Sequence, residues 1–318
     1  MNTQMLIILL ISFISTVIIG IFFVPKLRKL KIGQVVREDG PKSHLAKNGT
    51  PVMGGIIMIL VSLIILGILG IKNHILFLPM ILIGGFGLVG FIDDYKKLVK
   101  KDTKGLSPIK KIIGLLLVSV IFILCYLKVY NLGTDIIIPF FNQPIALGMV
   151  EFIAFTLFIL IGTSNAVNLT DGLDGLASGV TAIIMGYFTA VSLKNGNYEM
   201  AKLGIITMGT CIGFLVFNYK PAKVFMGDTG SLALGGAVAA IAIILKMPLY
   251  LAIVAIVCVI DTLSTALQVI FFKLTHGKRL FKMAPFHHHL ELCGINEKVV
   301  VWIFWIITLI ACIIAYFV

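Results

Sequence analysis

Adjacent carboxylates, Asp93 and Asp94, lie within the segment Phe91-Ile92-Asp93-Asp94-Tyr95-Lys96-Lys97. Two carboxylates this close repel one another unless a cation joins them. They suit a divalent ion, or a proton taken from a phosphate nucleophile. A helix end meeting solvent, balanced by Lys97 and its neighbours, would carry the same residues without any chemistry. A second segment, Asn165-Ala166-Val167-Asn168-Leu169-Thr170-Asp171-Gly172-Leu173-Asp174-Gly175, sets Asn165, Asn168, Asp171 and Asp174 three residues apart. At that spacing amides and carboxylates share one side of a helical turn. Four of them with two Asp-Gly steps exceed what helix caps require, which points to hydrogen bonds with a nucleoside, sugar or diphosphate.

The third segment runs from Asn218 through Lys220, Pro221, Lys223, Phe225 and Met226 to Gly227-Asp228-Thr229-Gly230-Ser231. Gly227 and Gly230 allow close backbone approach to a phosphate, and Ser231 can cap a following helix whose N-terminus favours anions. Asp228 is placed to hold the hard cation that diphosphate chemistry uses. Phe225, a ring in a polar loop, suits stacking on a base. Gly-Asp-x-Gly alone is a weak signal, and its company strengthens it. The fourth segment, Met283-Ala284-Pro285-Phe286-His287-His288-His289-Leu290-Glu291, holds three of the six histidines. Consecutive side chains point in different directions and no cysteine or spaced histidine completes a tetrahedral set, which argues against structural zinc. Imidazoles beside a phosphate donate hydrogen bonds or carry charge near neutral pH. The first loop ends in a basic, glycine-rich stretch from Gly40 to Gly55 that includes Lys42 and Lys47 and suits an anionic substrate.

These segments interrupt a chain whose solvent is lipid. Of 318 residues 59% are hydrophobic and 13% charged, and the mean hydropathy of +1.09 would expose large apolar surfaces in a soluble domain. Apolar runs over 5–24, 52–71, 75–92, 109–130, 147–165, 175–193, 201–218, 232–246, 249–272 and 298–317 predict ten transmembrane helices, the eighth being the shortest. Ten crossings put both termini on one side. Twenty-one of the 26 Lys and Arg residues then fall in one set of loops, which the positive-inside rule makes cytoplasmic and both termini extracytoplasmic. The net charge of +12 follows from that asymmetry and gives no reason to invoke nucleic acid. The expected fold is an all-α polytopic membrane protein, a single domain over 1–318, with cytoplasmic active-site loops. The outer stretch from Asn131 to Pro144 is β-prone between turn residues and predicts a small extracytoplasmic β-hairpin. The five cysteines form no Cys-x-x-Cys pair, and four lie in apolar runs, as packing residues do. Asp261, deep in the ninth run, is expected to serve function, mark a helix break, or bond Thr262 or Ser264.

Taken together, the Asp-Asp pair, the Asn-x-x-Asn-x-x-Asp-Gly-x-Asp-Gly segment and the Gly-Asp-x-Gly-Ser loop resemble the polyprenyl-phosphate N-acetylhexosamine-1-phosphate transferase superfamily. The Pro285-to-Glu291 segment and the first-loop Lys-x-Gly-Thr-Pro-x-Met-Gly-Gly, with Val52 where many members carry Thr, resemble its phospho-N-acetylmuramoyl-pentapeptide transferase branch. The resemblance implies a bacterial plasma-membrane enzyme, multi-pass in the lipid bilayer, that joins UDP-MurNAc-pentapeptide to undecaprenyl phosphate as lipid I and releases UMP, with Mg2+ as cofactor. It implies Asp228 and Asp94 as metal ligands, Asp93, Asp94, Asp228 and His287 as catalytic residues, and a homodimer. It places Lys47, Lys97, Asn165, Asn168, Asp171, Asp174, Asn218, Phe225, Gly227, Ser231, His288 and His289 at the substrates, Phe225 against the uracil ring and Lys47 beside the uridine pocket. A sister transferase using UDP-GlcNAc is the alternative. A secondary transporter would instead place ionisable residues at the midplane, and a lipid-binding scaffold would not need Asp93, Asp94 and Asp228 together.

Overall fold

A computed structural model of the chain describes residues 3–29, 49–98, 105–141 and 143–318. Its helices are α1 (Thr3–Lys29), α2 (Gly55–Gly70), α3 (Phe77–Leu98), α4 (Pro108–Leu124), α5 (Met149–Thr170), α6 (Leu176–Lys194), α7 (Tyr198–Asn218), α8 (Gly227–Ile244), α9 (Leu251–Val254), α10 (Ile256–Leu274), α11 (Phe286–Leu292) and α12 (Glu297–Phe317). Backbone polar groups find no partners in hydrocarbon, so a chain this apolar satisfies them inside helices. Among the described residues nine helices are long and apolar enough to cross a membrane. α2 is apolar but has 16 residues, a rise of about 24 Å. The protein is a multi-pass membrane protein, and its short helix is the second, not the eighth. α8 starts at Gly227, five residues before the expected 232, because its first turn is Gly-Asp-Thr-Gly-Ser, too polar for a hydropathy reading. The ninth run is divided: the helix breaks at Ala255, with φ −104° and ψ 28°, between α9 and α10.

α8 is the axis of the bundle. Every residue from Thr229 to Ile244 is buried, and α3 and α5 pack along it. Small residues on α8 and α3 let these helices approach to backbone contact: a Cβ on Gly90 would collide with the carbonyl of Asp228. α1 lies against α7 on the far side. It buries Ser12 and Thr16, whose hydroxyls donate to the carbonyls of Ile8 and Ser12 in the preceding turn, so neither polar group is left unpaired. The opposite face of α1 leaves Ile7, Leu10, Ile11, Ile14, Ile18 and Phe22 exposed, and the outer faces of α4, α10 and α12 are equally apolar. Lipid is the solvent that such faces require.

Between α4 and α5, strand β1 (Asp135–Ile137) pairs antiparallel with β2 (Pro144–Ala146), Ile136 opposite Ile145. The pair is tied to the end of α8. Ile137 N donates to Lys246 O at 2.6 Å, and Lys246 Nζ lies 2.9 and 2.7 Å from the two carboxylate oxygens of Asp135. That hydrogen bond holds the Asp135 carboxyl below its usual range. A carboxyl depressed on folding adds stability above its unfolded pKa, and the gain is lost as pH falls through the folded value. Lys246→Met should therefore lower stability at neutral pH by about 0.5 kcal/mol, as for other exposed pairs. Thermal unfolding in detergent micelles should show that difference shrinking below about pH 4.

Candidate active site

The site forms where the last turns of α3 meet the first turn of α8. Met226 precedes α8 without a side-chain cap, and the N–H groups of that first turn would be orphans. Asp94 supplies the cap from α3. It accepts from Asp228 N at 3.2 Å, Thr229 N at 2.9 Å and Thr229 Oγ1 at 2.6 Å, and its negative charge complements the helix dipole. Gly227 has φ +75°, and a Cβ there would fall 2.6 Å from Asp94 Oδ2. Glycine is thus needed for its backbone and for the space the carboxylate fills. A short backbone clasp fixes the approach to this turn: Phe225 N donates to Pro51 O at 2.8 Å, Gly54 N to Phe225 O and Gly55 N to Met226 O, both at 2.9 Å.

Asp93 is 2% exposed. Its Oδ1 accepts from Leu106 N at 2.6 Å and its Oδ2 lies 2.5 Å from Lys97 Nζ. Asp228 is the hub. Asn168 Nδ2 donates to its Oδ1 at 2.8 Å, while Lys97 and Lys111 place ammonium groups 3.1 and 3.0 Å from its Oδ2. Asp93, Asp94 and Asp228 each offer a carboxylate oxygen within 4.8 Å of the others. Three carboxylates against two ammonium groups leave the cluster net negative, and every candidate ligand atom is a hard oxygen, the donor set that Mg2+ or a similar ion takes. The residues fit a divalent cation.

Several expected site residues join this cluster. Asn168 bridges Asp228 to Ser231, whose Oγ lies 2.7 Å from Asn168 Nδ2 and donates to Gly227 O at 3.0 Å. Ser231 thus lies inside α8, bonded back to its first residue, and is not its cap, because the cap is Asp94. Gly230 packs against the backbone of Gly55 and does not line a phosphate cradle. Phe225 is half-buried at the rim. Asn165 donates to Ile161 O at 2.8 Å, and Asp171 is half-buried in the loop after α5. Lys47 lies outside the described residues.

Other expected residues work in the scaffold. Asn218 is 3% exposed: its Oδ1 accepts from Gly175 N and Ser178 Oγ, and its Nδ2 donates to Val224 O. Asp174 accepts from Ala222 N at 3.0 Å, and its own N–H donates to Glu297 Oε1 at 3.0 Å. Glu297 also pairs with Lys220. These bonds lock the loop after α5 to the loop before α8 and to the start of α12.

The histidine segment borders the same loop. A Cβ on Gly172 would collide with His287 Nε2 and fall 3.2 Å from His288 Nε2. His288 Nδ1 lies 3.1 Å from Glu291. His289 stacks on Phe286 with centroids 5.6 Å apart, and its Nδ1 accepts from Lys282 N. His287 pairs with Asp261, so the carboxylate of Asp261 meets neither Thr262 nor Ser264; Ser264 Oγ donates to its backbone carbonyl instead. Along the sequence Lys111 reads only as loop charge. The signal was there, since a lysine in the first turn of α4 opposes the helix dipole and calls for an acidic partner. Glu297 gave no such signal.

A sequence model of glycosyl transferase family 4 matches residues 74–246, a stretch that holds Asp93, Asp94, Asn168 and Asp228 and stops short of the segment with His287, His288 and His289. A phospho-N-acetylmuramoyl-pentapeptide-transferase of Clostridium botulinum (strain Alaska E43 / Type E3) is 48% identical over 99% of this chain and 97% of its own length. Proteins of the same name from Acetivibrio thermocellus and Bacillus cereus (strain AH187) are 50% and 49% identical, over 97% and 93% of this chain and 93% and 91% of their own lengths.

Removing the cap should cost stability as well as the metal ligand. Asp94→Ala is expected to destabilise the purified protein by about 1–3 kcal/mol and Thr229→Val by about 0.5–1.5 kcal/mol. An unchanged unfolding temperature for Asp94→Ala would show that α8 does not depend on this carboxylate.

Proposed function

The chain belongs to glycosyl transferase family 4, and from that premise we propose that it transfers phospho-MurNAc-pentapeptide from UDP-MurNAc-pentapeptide to undecaprenyl phosphate, giving lipid I and UMP. The observation that carries this reading is the near full-length identity to proteins named for that transfer. The apolar outer faces of the helices support a bilayer setting in which the lipid keeps its tail in hydrocarbon while its phosphate meets the loops. We place α2 as the second of ten crossings in one domain, the termini and the β1–β2 pair outside, and the site on the cytoplasmic face of the bacterial plasma membrane, because the lysine-rich loops belong there. Two copies are expected to associate through apolar helix faces.

Phosphoryl transfer requires attacking and leaving oxygens in line and charge neutralised on the transferred group. Asp228, Asp94 and Asp93 would hold Mg2+, which when bound neutralises diphosphate charge and eases departure of UMP. Lys97 and Lys111, whose ammonium groups lie against Asp228, would also offer positive charge to phosphate oxygens of the substrates. Asp93 orients the lipid phosphate for direct attack on the sugar-bearing phosphorus. It need not deprotonate that nucleophile, because a phosphate monoester's second pKa is near 6 and the dianion is common at neutral pH. Phe225 offers its ring to uracil, with Lys47 beside the uridine. Asn168, Asp171 and Asn165 face the sugar and diphosphate, with Gly227 and Ser231 shaping the turn beneath them. Asn218 and Asp174 act by holding the two loops in register. His287, with His288 and His289, closes the site from the loop before α12.

UMP release from UDP-MurNAc-pentapeptide by the purified protein with undecaprenyl phosphate tests the reading. Release should need Mg2+, stop with EDTA, and fall by about 100-fold or more in Asp228→Asn, as when a group that stabilises transition-state charge is removed. Release from UDP-GlcNAc instead would assign the chain to the sister reaction. A phosphoenzyme trapped on Asp93 or Asp94 would replace direct attack by a covalent route.

A further inference from the structure

Asp261 lies in α10, within a membrane-spanning segment, and is 0% exposed. A carboxylate so placed persists where donors satisfy it. Among the described residues both of its donors come from one residue: Asp261 Oδ2 lies 2.8 Å from His287 Nδ1, and Oδ1 accepts from His287 N at 3.2 Å. Its backbone carbonyl accepts the hydroxyls of Ser264 and Thr265, which fixes the turn that carries it. His287 is equally buried, and its Nε2 meets no hydrogen-bond partner among the described residues. A buried ring nitrogen without a partner is rare in a finished fold. This one is aimed at the loop between α5 and α6, where Gly172 alone leaves room for it, one turn beyond the Asn168 that grips Asp228.

We propose that Asp261 is a positioning residue of the transfer reaction: by accepting the Nδ1 proton of His287 it commits Nε2 to a hydrogen bond with the donor substrate at Gly172. The carboxylate itself touches no substrate. It selects which ring nitrogen carries the fixed proton and holds the ring plane, as the partner of a working histidine does. The segment Phe286–Leu292 is short, so without this tether the imidazole would depend on a loop for its direction. Gly172 completes the device by leaving its space to Nε2. The inference rests on the transfer proposed above, and wild-type protein that released no UMP would refute that reaction alone, because the ring tautomer is read without turnover.

A cycle of variants separates positioning from scaffolding. Asp261→Asn should lower the kcat of UMP release by about 10- to 100-fold in the wild-type background, the usual effect of losing a histidine's partner. In a His287→Gln background the same change should cost less than about 3-fold, since the residue it acts through is gone. Equal losses in both backgrounds, or a wild-type kcat in Asp261→Asn, overturn the proposal. Nitrogen-15 shifts of the wild-type histidines, with His287 assigned through His287→Gln, should show a protonated Nδ1. If Asp261→Asn fails to fold, this second measurement decides, and a His287 protonated at Nε2 alone overturns the proposal.

Discussion

The contact on which the site depends is between the Asp94 carboxylate and the first turn of α8. Three donors of one turn converge on it, at a place where water is scarce and an unbonded N–H would be costly. The same contact fixes the start of α8 and the crossing of α3 over α8, because the backbone at Gly90 is pressed against Asp228. Asp93 and Asp228 are neighbours as a consequence. A shift of α8 by one residue would turn Asp228 away by about 100° and dissolve the cluster, so the capping bond sets the register of the chemistry as well as the stability of the helix.

Charge explains the next layer. Carboxylates gathered this closely would force each other apart unless cations lay among them. Lys97 spans Asp93 and Asp228, and Lys111 reaches Asp228 from α4. These ammonium groups sit on flexible stems and are singly charged, whereas a divalent ion is compact and doubly charged. Held by these pairs, the three carboxylates stay together and still have net negative charge to offer. The hard-oxygen donor set of the three carboxylates suits a divalent ion.

Polar residues of the loops divide between facing the ligand and holding one another. Asn218, Asp174, Glu297 and Lys220 form a chain of bonds that joins the loop after α5, the loop before α8 and the start of α12. The first two lie in motifs whose spacing suggested ligand contacts. Their burial shows that motif residues also serve by keeping a loop from drifting, which matters wherever reacting groups must be held in line.

Much of this was legible in the chain itself. Long apolar runs must be helices in lipid, whatever surrounds them, so residues as far apart as Leu10 and Ile313 announce their environment without reference to a neighbour. Carboxylates and amides in polar breaks between such runs announce chemistry, and Asp93, Asp94, Asn168 and Asp228 were named from type and spacing. The ends of helices were less legible. α8 begins at Gly227 because the carboxylate of Asp94, 134 residues before Asp228, caps it, and no window along the sequence contains both. Lys111 on Asp228, and Asp261 on His287, were hidden for the same reason. Hydropathy and spacing are properties of a segment, whereas a hydrogen bond between helices exists only once they pack. What kind of protein this is could be read in order along the chain; which oxygen meets which donor was decided by the crossing of α3 with α8 and the docking of α11 on α10.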